Sequence, residues 1–207
     1  MGSEWGRIPH EHYLYLRSSR HHGMAASDPN LSSDPLTDGQ PAVLAAPALQ
    51  RRLEEEINRA TRHGTPLSCL LVTIGNLDEL SREHGSDLPE QALTYVAAAL
   101  QRQLRRFDRV GRPSERELLV VLPGADGPRG EIVARRVLER LRTIKVEADG
   151  TRRPLRISVG LAAWREDLNG DDLLAHTRAA ARRGVGPEAS SGIDTASPPA
   201  LGRPGPS

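Results

Sequence analysis

Residues 104–124 read LRRFDRVGRPSERELLVVLPG, and the order of patterns in this stretch decides the fold. An apolar run at 118–122 ends at Pro123, and a continuous run of this kind is typical of a β-strand covered on both faces. Upstream, apolar residues recur at helical spacing over 89–106, and Pro89 suits the first turn of a helix. We therefore expect a long helix, a polar connection and then a buried strand.

The same kinds of pattern continue on both sides of this unit. Further strands are expected at 67–74, 143–146 and 155–163, and further helices at 47–64, 77–83, 132–141 and 173–183. In the first helix, Glu54, Glu55 and Glu56 lie near arginines, and we expect them on a solvated face. Helices that alternate with buried strands indicate an α/β (α+β) fold, in which helices cover a central mixed β-sheet.

The two ends of the chain differ in composition from its middle. Residues 1–46 show no sustained periodicity and contain SDP twice, and residues 185–207 are rich in Pro, Gly and Ser. Such segments cannot bury enough apolar surface to fold, so both are predicted to be disordered extensions of one domain at 47–184. The sequence leaves open whether translation starts at Met1 or at Met24.

Composition limits the classes of function. The 207 residues carry a net charge of +1, which gives no reason to expect nucleic-acid binding. Cys69 is the single cysteine, which excludes an intramolecular disulfide, and its apolar neighbours indicate a buried thiol. No apolar run approaches a membrane span and the N-terminus lacks the layout of a signal peptide, so we expect a cytoplasmic protein with no membrane span.

The central stretch resembles the signature region of GGDEF (diguanylate cyclase) domains. In that family an RxxD pattern is followed after five residues by GGDEF or GGEEF, and then by an apolar strand that ends in Pro. Here RRFD occupies 105–108 and SEREL occupies 114–118. Residues 59–74, RATRHGTPLSCLLVTI, and 155–162, LRISVGLA, are similar to the family's first and late strands. The resemblance runs from residue 47 to residue 183 and implies the nucleotide-cyclase-like fold.

The resemblance implies attack of a ribose 3′-hydroxyl on an α-phosphate, assisted by two Mg²⁺ ions that carboxylates hold. At the matching positions this chain has Thr73, Gly75 and Arg116, and a guanidinium opposes the binding of a dication. Glu117 keeps its carboxylate. We therefore expect no Mg²⁺ and no other cofactor, and a degenerate domain that is not an enzyme.

The positions that contact substrate in the family also differ. Ser114 and Glu115 stand where paired glycines allow the nucleotide to approach the backbone closely. Asp78 and Ser81 stand at the positions of the phosphate-facing Lys and the guanine-reading Asn, whereas Glu90 is a conservative counterpart of the guanine-contacting Asp. These differences favour the same expectation, a pseudoenzyme.

The RxxD pattern implies a second kind of site, because in active relatives it is the inhibitory site that binds cyclic di-GMP. The resemblance assigns ligand binding to Arg105, Asp108 and Arg136, the last by an ungapped count into the following helix. A guanidinium can donate to guanine O6 and N7, and a carboxylate can accept from guanine N1–H and N2–H. Residues i and i+3 at a helix end would project to one side. The alternative is an exposed ion pair between Arg105 and Asp108, which would have little effect.

Three hypotheses for function follow. In the first, the domain is a cyclic di-GMP receptor that signals through contact with an unidentified protein partner. In the second, it is a ligand-independent scaffold that has kept the fold. In the third, it is an active cyclase, which Thr73 and Arg116 oppose. A homodimer is left open in all three.

Overall fold

A computed structural model describes residues 13–15, 42–148, 151–183 and 192–195, which form five helices and nine strands. The helices are α1 (Ala46–His63), α2 (Leu77–His84), α3 (Leu88–Gln101), α4 (Gly127–Arg142) and α5 (Gly170–Arg183). The strands are β1 (Tyr13–Tyr15), β2 (Leu44–Ala45), β3 (Leu67–Ile74), β4 (Arg109–Ser114), β5 (Glu117–Pro123), β6 (Lys145–Ala148), β7 (Thr151–Pro154), β8 (Ile157–Ala163) and β9 (Gly192–Thr195). None of these described helices combines the length and apolar content that a membrane crossing needs.

Six of these strands form one mixed sheet in the order β2-β4-β5-β3-β8-β9, and β1, β6 and β7 form a smaller sheet. The central strand β3 is antiparallel to both of its neighbours, and its Leu70 lies opposite Val120 of β5 and Leu161 of β8. At the two edges, β2 and β9 pair in parallel with β4 and β8. The predicted central mixed sheet covered by helices is confirmed.

The central strands bury side chains on both faces. In β3, Leu70 and Val72 pack in one cluster with residues of α2, α3 and α4, whereas Cys69 and Leu71 pack in a second cluster with residues of α1 and α5. This alternation follows from the strand period of two, and it explains why β3 reads as a continuous apolar run. Each fully buried leucine contributes about 1.5–3 kcal/mol relative to an exposed one, so the two clusters hold the sheet between its helical layers.

Strand β8 and helix α5 lie very close together at Gly160. A Cβ atom at that position would lie 2.3 Å from Thr177 O and 2.3 Å from Ala181 N, both of them backbone atoms of α5. The absence of a side chain therefore lets α5 lie directly on β8. Thr177 is fully buried at this contact, and its hydroxyl donates to Leu173 O at 2.6 Å within the helix.

Cys69 lies in β3 and has no exposed surface. Burial raises the pKa of its thiol to about 12, because a thiolate at this position would lose its hydration. The thiol is therefore buried, as predicted, and it is protonated at neutral pH.

The helix that precedes the RxxD pattern is shorter than predicted. Helix α3 ends at Gln101, whereas the apolar periodicity predicted a helix up to residue 106. Beyond the helix, Gln103 N donates to Leu100 O at 2.9 Å and Leu104 N donates to Gln101 O at 3.1 Å. Such bonds to the third preceding residue are typical of a tightening last turn. Residues 102–108 therefore form turns and not a continuation of the helix.

The sequence predicted no strand at residues 109–114, which form β4. This strand contains Gly111 and passes close to its neighbours there, because a Cβ atom on Gly111 would lie 2.7 Å from Leu49 Cδ1 and 2.9 Å from Leu44 O. Its RVGRPS sequence has no alternating pattern, so pairing with β5 and the contact with α1 determine its conformation.

The predicted disordered extensions, residues 1–46 and 185–207, lie outside the described residues except for β1, residues 42–46 and β9. Strand β1 pairs with β6, and β9 pairs with β8. The domain boundaries at 46/47 and 184/185 stay predictions.

Candidate functional site

Residues 102–108 connect α3 to β4 and carry the RxxD pattern. Asp108 Oδ2 accepts a hydrogen bond from Arg105 N at 2.8 Å, and Asp108 N donates to Arg105 O at 3.0 Å. These two bonds close the segment into a turn. Asp108 is only 5% exposed, so it is not the exposed partner of Arg105 that the alternative interpretation assumed.

Arg136 approaches this turn from α4. Its Nη2 donates to Gln103 O at 2.6 Å. Burial raises the pKa of Asp108 above its ordinary value, while the hydrogen bond from Arg105 N and the charges of Arg105, Arg136 and Arg109 oppose that rise. The three side chains that the sequence grouped, Arg105, Asp108 and Arg136, therefore lie around one turn.

A cavity of about 320 Å³ lies beside the turn. Arg105 and Phe107 line one side of it, and Arg52, Glu56 and Arg59 of α1 line the other. Arg105 Cζ lies 5.9 Å from the centroid of the Phe107 ring, within the range of a cation–π contact. The surroundings of the turn thus include α1, which sequence reasoning did not predict.

The predicted solvated position of Glu56 is wrong. Its side chain is 2% exposed, with Oε1 2.6 Å from Arg52 Nη2 and Oε2 3.8 Å from Arg59 Nη1. Glu56 lies seven residues after Leu49 and four before Ala60, both of which are buried. That spacing places Glu56 on the buried side of α1, and the same spacing in the sequence could have predicted its burial.

The hairpin between β4 and β5 carries the signature positions. Its Glu117 accepts from Arg178 of α5 through Nε at 3.1 Å and Nη2 at 2.7 Å, and from Ser114 Oγ at 2.9 Å. Burial alone would raise the pKa of Glu117, but these hydrogen bonds and the charges of Arg178 and Arg182 outweigh it and lower the pKa. Glu117 is therefore held in its ionised form between the hairpin and α5.

Two further arginines join the hairpin to helices α3 and α2. Arg112 Nη2 donates to Glu90 Oε2 at 2.8 Å and to Glu115 O at 2.7 Å, and the hydrogen bond from Arg112 lowers the pKa of Glu90. Arg116 forms an ion pair with Asp78. Charged contacts thus connect the hairpin to α2, α3 and α5. The partners in these contacts are far apart in the sequence, so no local pattern predicts them.

The positions that match the metal ligands of the family do not form a metal site within the described part of the chain. Thr73 lies opposite Glu117 in the register of β3 and β5, and the neighbouring hairpin residue Arg116 is a cation. No three or more His, Cys, Asp or Glu side chains come together among the described residues in a way that could hold a metal ion. The side chains present therefore do not fit a pair of Mg²⁺ ions held by carboxylates.

Comparison with known proteins gives consistent matches. A family model described as diguanylate cyclase, GGDEF domain, matches residues 34–184. The chain is 33% identical over 107 residues to diguanylate cyclase DgcP of Pseudomonas aeruginosa, covering 52% of this chain and 15% of DgcP. It is 27% identical over 143 residues to the probable diguanylate cyclase DgcC of Escherichia coli, covering 66% of this chain and 38% of DgcC. The chain therefore spans less than half the length of these relatives.

A solved structure shares the fold. The GGDEF domain of DgcB from Caulobacter crescentus, in complex with c-di-GMP, matches with a TM-score of 0.66 at 17% identity, over 86% of this chain and 98% of that one. At this level of identity the likeness shows the fold.

The prediction that the chain is not an enzyme is contradicted by these comparisons, because the relatives that it matches are named diguanylate cyclases. The side chains of Ser114, Glu115 and Arg116 define what the hairpin presents, but a change of side chains does not by itself establish an absence of activity. Because the GGDEF family model matches residues 34–184, which is more than half of the 207 residues, the chain belongs to the GGDEF family.

Proposed function

We propose that this protein binds cyclic di-GMP at Arg105, Asp108 and Arg136 and signals through contact with a protein partner. The observation that carries the proposal is the position of Arg105, Asp108 and Arg136 around one turn, where Asp108 is bonded to the backbone of Arg105 and Arg136 donates to Gln103 O. Arg105 belongs to the turn after α3, Arg136 belongs to α4, and both charges act on Asp108.

The chemistry of these groups fits guanine. A guanidinium can donate two parallel hydrogen bonds to guanine O6 and N7, and the carboxylate can accept from N1–H and N2–H. Asp108 has two carboxylate oxygens, so its bond to Arg105 N leaves acceptor capacity for a ligand. Burial disfavours the charged form of Asp108, and a ligand that donates two N–H groups would offset that cost. Both arginine side chains are exposed, which leaves them accessible to a dinucleotide.

A related domain supports the choice of ligand. The DgcB GGDEF domain of Caulobacter crescentus was solved in complex with c-di-GMP, so a domain of this fold can hold that molecule. Cyclic di-GMP carries two guanines and two phosphates, and the arginine pair offers both hydrogen-bond donors and positive charge.

The direct test is calorimetric titration of the full chain with cyclic di-GMP. Wild type should bind at least at micromolar affinity, about −8 kcal/mol. Arg105→Ala and Arg136→Ala should each weaken binding by about 1–3 kcal/mol through loss of a guanine contact. Arg116→Ala is the matched control, because it removes the same charge from the hairpin and should leave binding nearly unchanged.

The outcomes separate the hypotheses. Equal losses in the Arg105 and Arg116 variants would show general attraction of phosphate and not a built site. No binding by wild type would favour the ligand-independent scaffold, in which the fold serves only for contact with a partner.

Diguanylate cyclase activity is the second candidate function, favoured by the names of the curated relatives. The test is production of cyclic di-GMP from GTP in the presence of Mg²⁺. Glu117 is the carboxylate that the signature strand retains, and it is ionised. Turnover that Glu117→Gln abolishes would assign the activity to this hairpin, whereas equal signal in the variant would point to a contaminant.

A further inference from the structure

The turn after α3 and the outer side of α4 expose two large apolar side chains. Phe107 is 50% exposed and Ile132 is 66% exposed, and no other large hydrophobic side chain in the described residues is exposed to this degree. We call the exposed side chains of residues 102–107 and 129–142 the basic face. Neither Phe107 nor Ile132 belongs to either buried cluster, so packing in the core does not explain these two apolar side chains. Exposed apolar side chains that lie together can mark an interaction surface.

The two parts of the basic face adjoin each other. Arg136 Nη2 donates to Gln103 O at 2.6 Å, which ties α4 to the turn. Ile132 precedes Arg136 by four residues, one turn earlier on the same side of α4, and Phe107 follows Gln103 by four residues in the turn. This contact holds the segment that carries Phe107 against the helix that carries Ile132.

Charge is concentrated on the same segments. Residues 102–107 and 129–142 contain eight arginines and two acidic residues, a net charge of +6, while the whole chain carries +1. Of the two acidic residues, Glu131 is paired with Arg135 at 2.6 Å and Glu139 is exposed. The remaining chain is net acidic, so the positive charge of this region is segregated and not spread over the surface.

Arginine-rich segments with apolar side chains among them match the chemistry of an anionic lipid surface. Basic side chains attract anionic headgroups, and apolar side chains enter the boundary between headgroups and acyl chains. A nucleic acid would use the arginines but would leave an aliphatic side chain such as Ile132 without a role. The strength of binding at such a surface grows with the buried apolar area and with the attraction of basic side chains to anionic lipids, and the basic face offers both.

We propose that the basic face docks on an anionic lipid surface, with Phe107 and Ile132 at the headgroup boundary and with Arg106 and Arg129 against the phosphates. The docking surface shares Arg105 and Arg136 with the candidate ligand site. Because the docking does not depend on cyclic di-GMP, its test leaves those two residues unchanged.

The test is sedimentation of the full chain with vesicles of phosphatidylcholine that contain a third phosphatidylglycerol, compared with vesicles of phosphatidylcholine alone. Wild type should partition at least about tenfold more strongly onto the anionic vesicles. Phe107→Ser/Ile132→Ser should weaken that partitioning about tenfold through lost apolar burial. Arg106→Glu/Arg129→Glu should weaken it by at least about tenfold, since each basic side chain contributes to the attraction.

The matched control is Arg51→Glu/Arg82→Glu, which makes the same change in charge at exposed positions of α1 and α2. It should partition nearly as wild type does, and circular dichroism checks that every variant is folded. Equal partitioning of wild type on both kinds of vesicle would overturn the proposal. Equal losses in the control variant, or full partitioning by the Phe107/Ile132 variant, would also overturn it. Either result would mean that the protein is attracted to any polyanion, and duplex DNA should then bind it equally well.

Discussion

Replacing Gly160 with alanine would place a methyl group against the backbone of α5. The Cβ atom would lie 2.3 Å from both Thr177 O and Ala181 N, whereas carbon atoms pack at about 3.5–4.0 Å, so the strand or helix must move by about 1 Å. The two contacted atoms are four residues apart, the separation of the acceptor and donor of one helical hydrogen bond. Backbone on both sides leaves no flexible side chain to yield, so we expect destabilisation of about 3 kcal/mol, the upper end for overpacked cores.

Urea unfolding followed by circular dichroism would measure this change. For a domain of this size each kcal/mol shifts Tm by about 2–4 °C, so Gly160→Ala should also lower Tm by roughly 6–12 °C. Gly127→Ala is the matched control, because a Cβ atom there would first meet Ala163 Cβ at 4.0 Å. Gly127 is also the first residue of α4, so its replacement should be neutral or stabilise by less than about 1 kcal/mol.

A loss in Gly160→Ala no larger than that in Gly127→Ala would refute the reasoning. It would mean that β8 and α5 can separate freely at this point, and that the contact does not fix the position of α5. The attachment of Arg178 to the hairpin would then lose its structural basis, since Arg178 follows Thr177 directly on the same helix.

Three further results are expected. Glu117→Gln should lower the free energy of unfolding by about 1–2 kcal/mol at pH 7 through weakened charged hydrogen bonds. Because the pKa of Glu117 is lowered in the folded state, this contribution is present above the ordinary glutamate pKa and is lost as the pH falls through the lowered value, so denaturation curves of wild type and variant should converge in acid. Asp108→Asn should weaken cyclic di-GMP binding in calorimetry, since an amide offers a single acceptor oxygen to guanine N1–H and N2–H; unchanged affinity would remove Asp108 from the site. The fragment 47–184 should melt in one cooperative transition, because every buried residue of both clusters lies within it, and a broad or absent transition would show that its boundaries are misplaced.

The sequence predicted those helices and strands whose buried side chains recur at the regular spacing of a helix or a strand. Strands β3 and β5 are covered on both faces and so read as unbroken apolar runs, and the helices that cover them show one apolar side. Strand β4 was missed because its RVGRPS sequence follows no such period, and its form depends on its partner β5. The end of α3 was misplaced because Gln101 is followed by no glycine or proline, and the local hydrogen bonds between Asp108 and Arg105 form a turn there instead.

Part of the candidate site was also predicted from the sequence, and part of it was not. The family spacing grouped Arg105, Asp108 and Arg136, and the structure places them around one turn. The ion pairs that hold the hairpin were invisible because their members are far apart in sequence, 61 residues for Arg178 and Glu117. Helical and strand periods describe faces of single elements, and they carry no information on which charged side chains meet when elements pack.

Because the chain has a single cysteine, chemical modification of that residue can report the opening of the central sheet. Cys69 is unreactive while β3 stays between β5 and β8, because its thiol is hidden and protonated, and the thiolate is the form that reacts. A thiol reagent therefore modifies only those molecules in which the strands have separated, one event for each chain. The rate of this modification would measure how often the strands around Cys69 separate under native conditions, and it requires no introduced label.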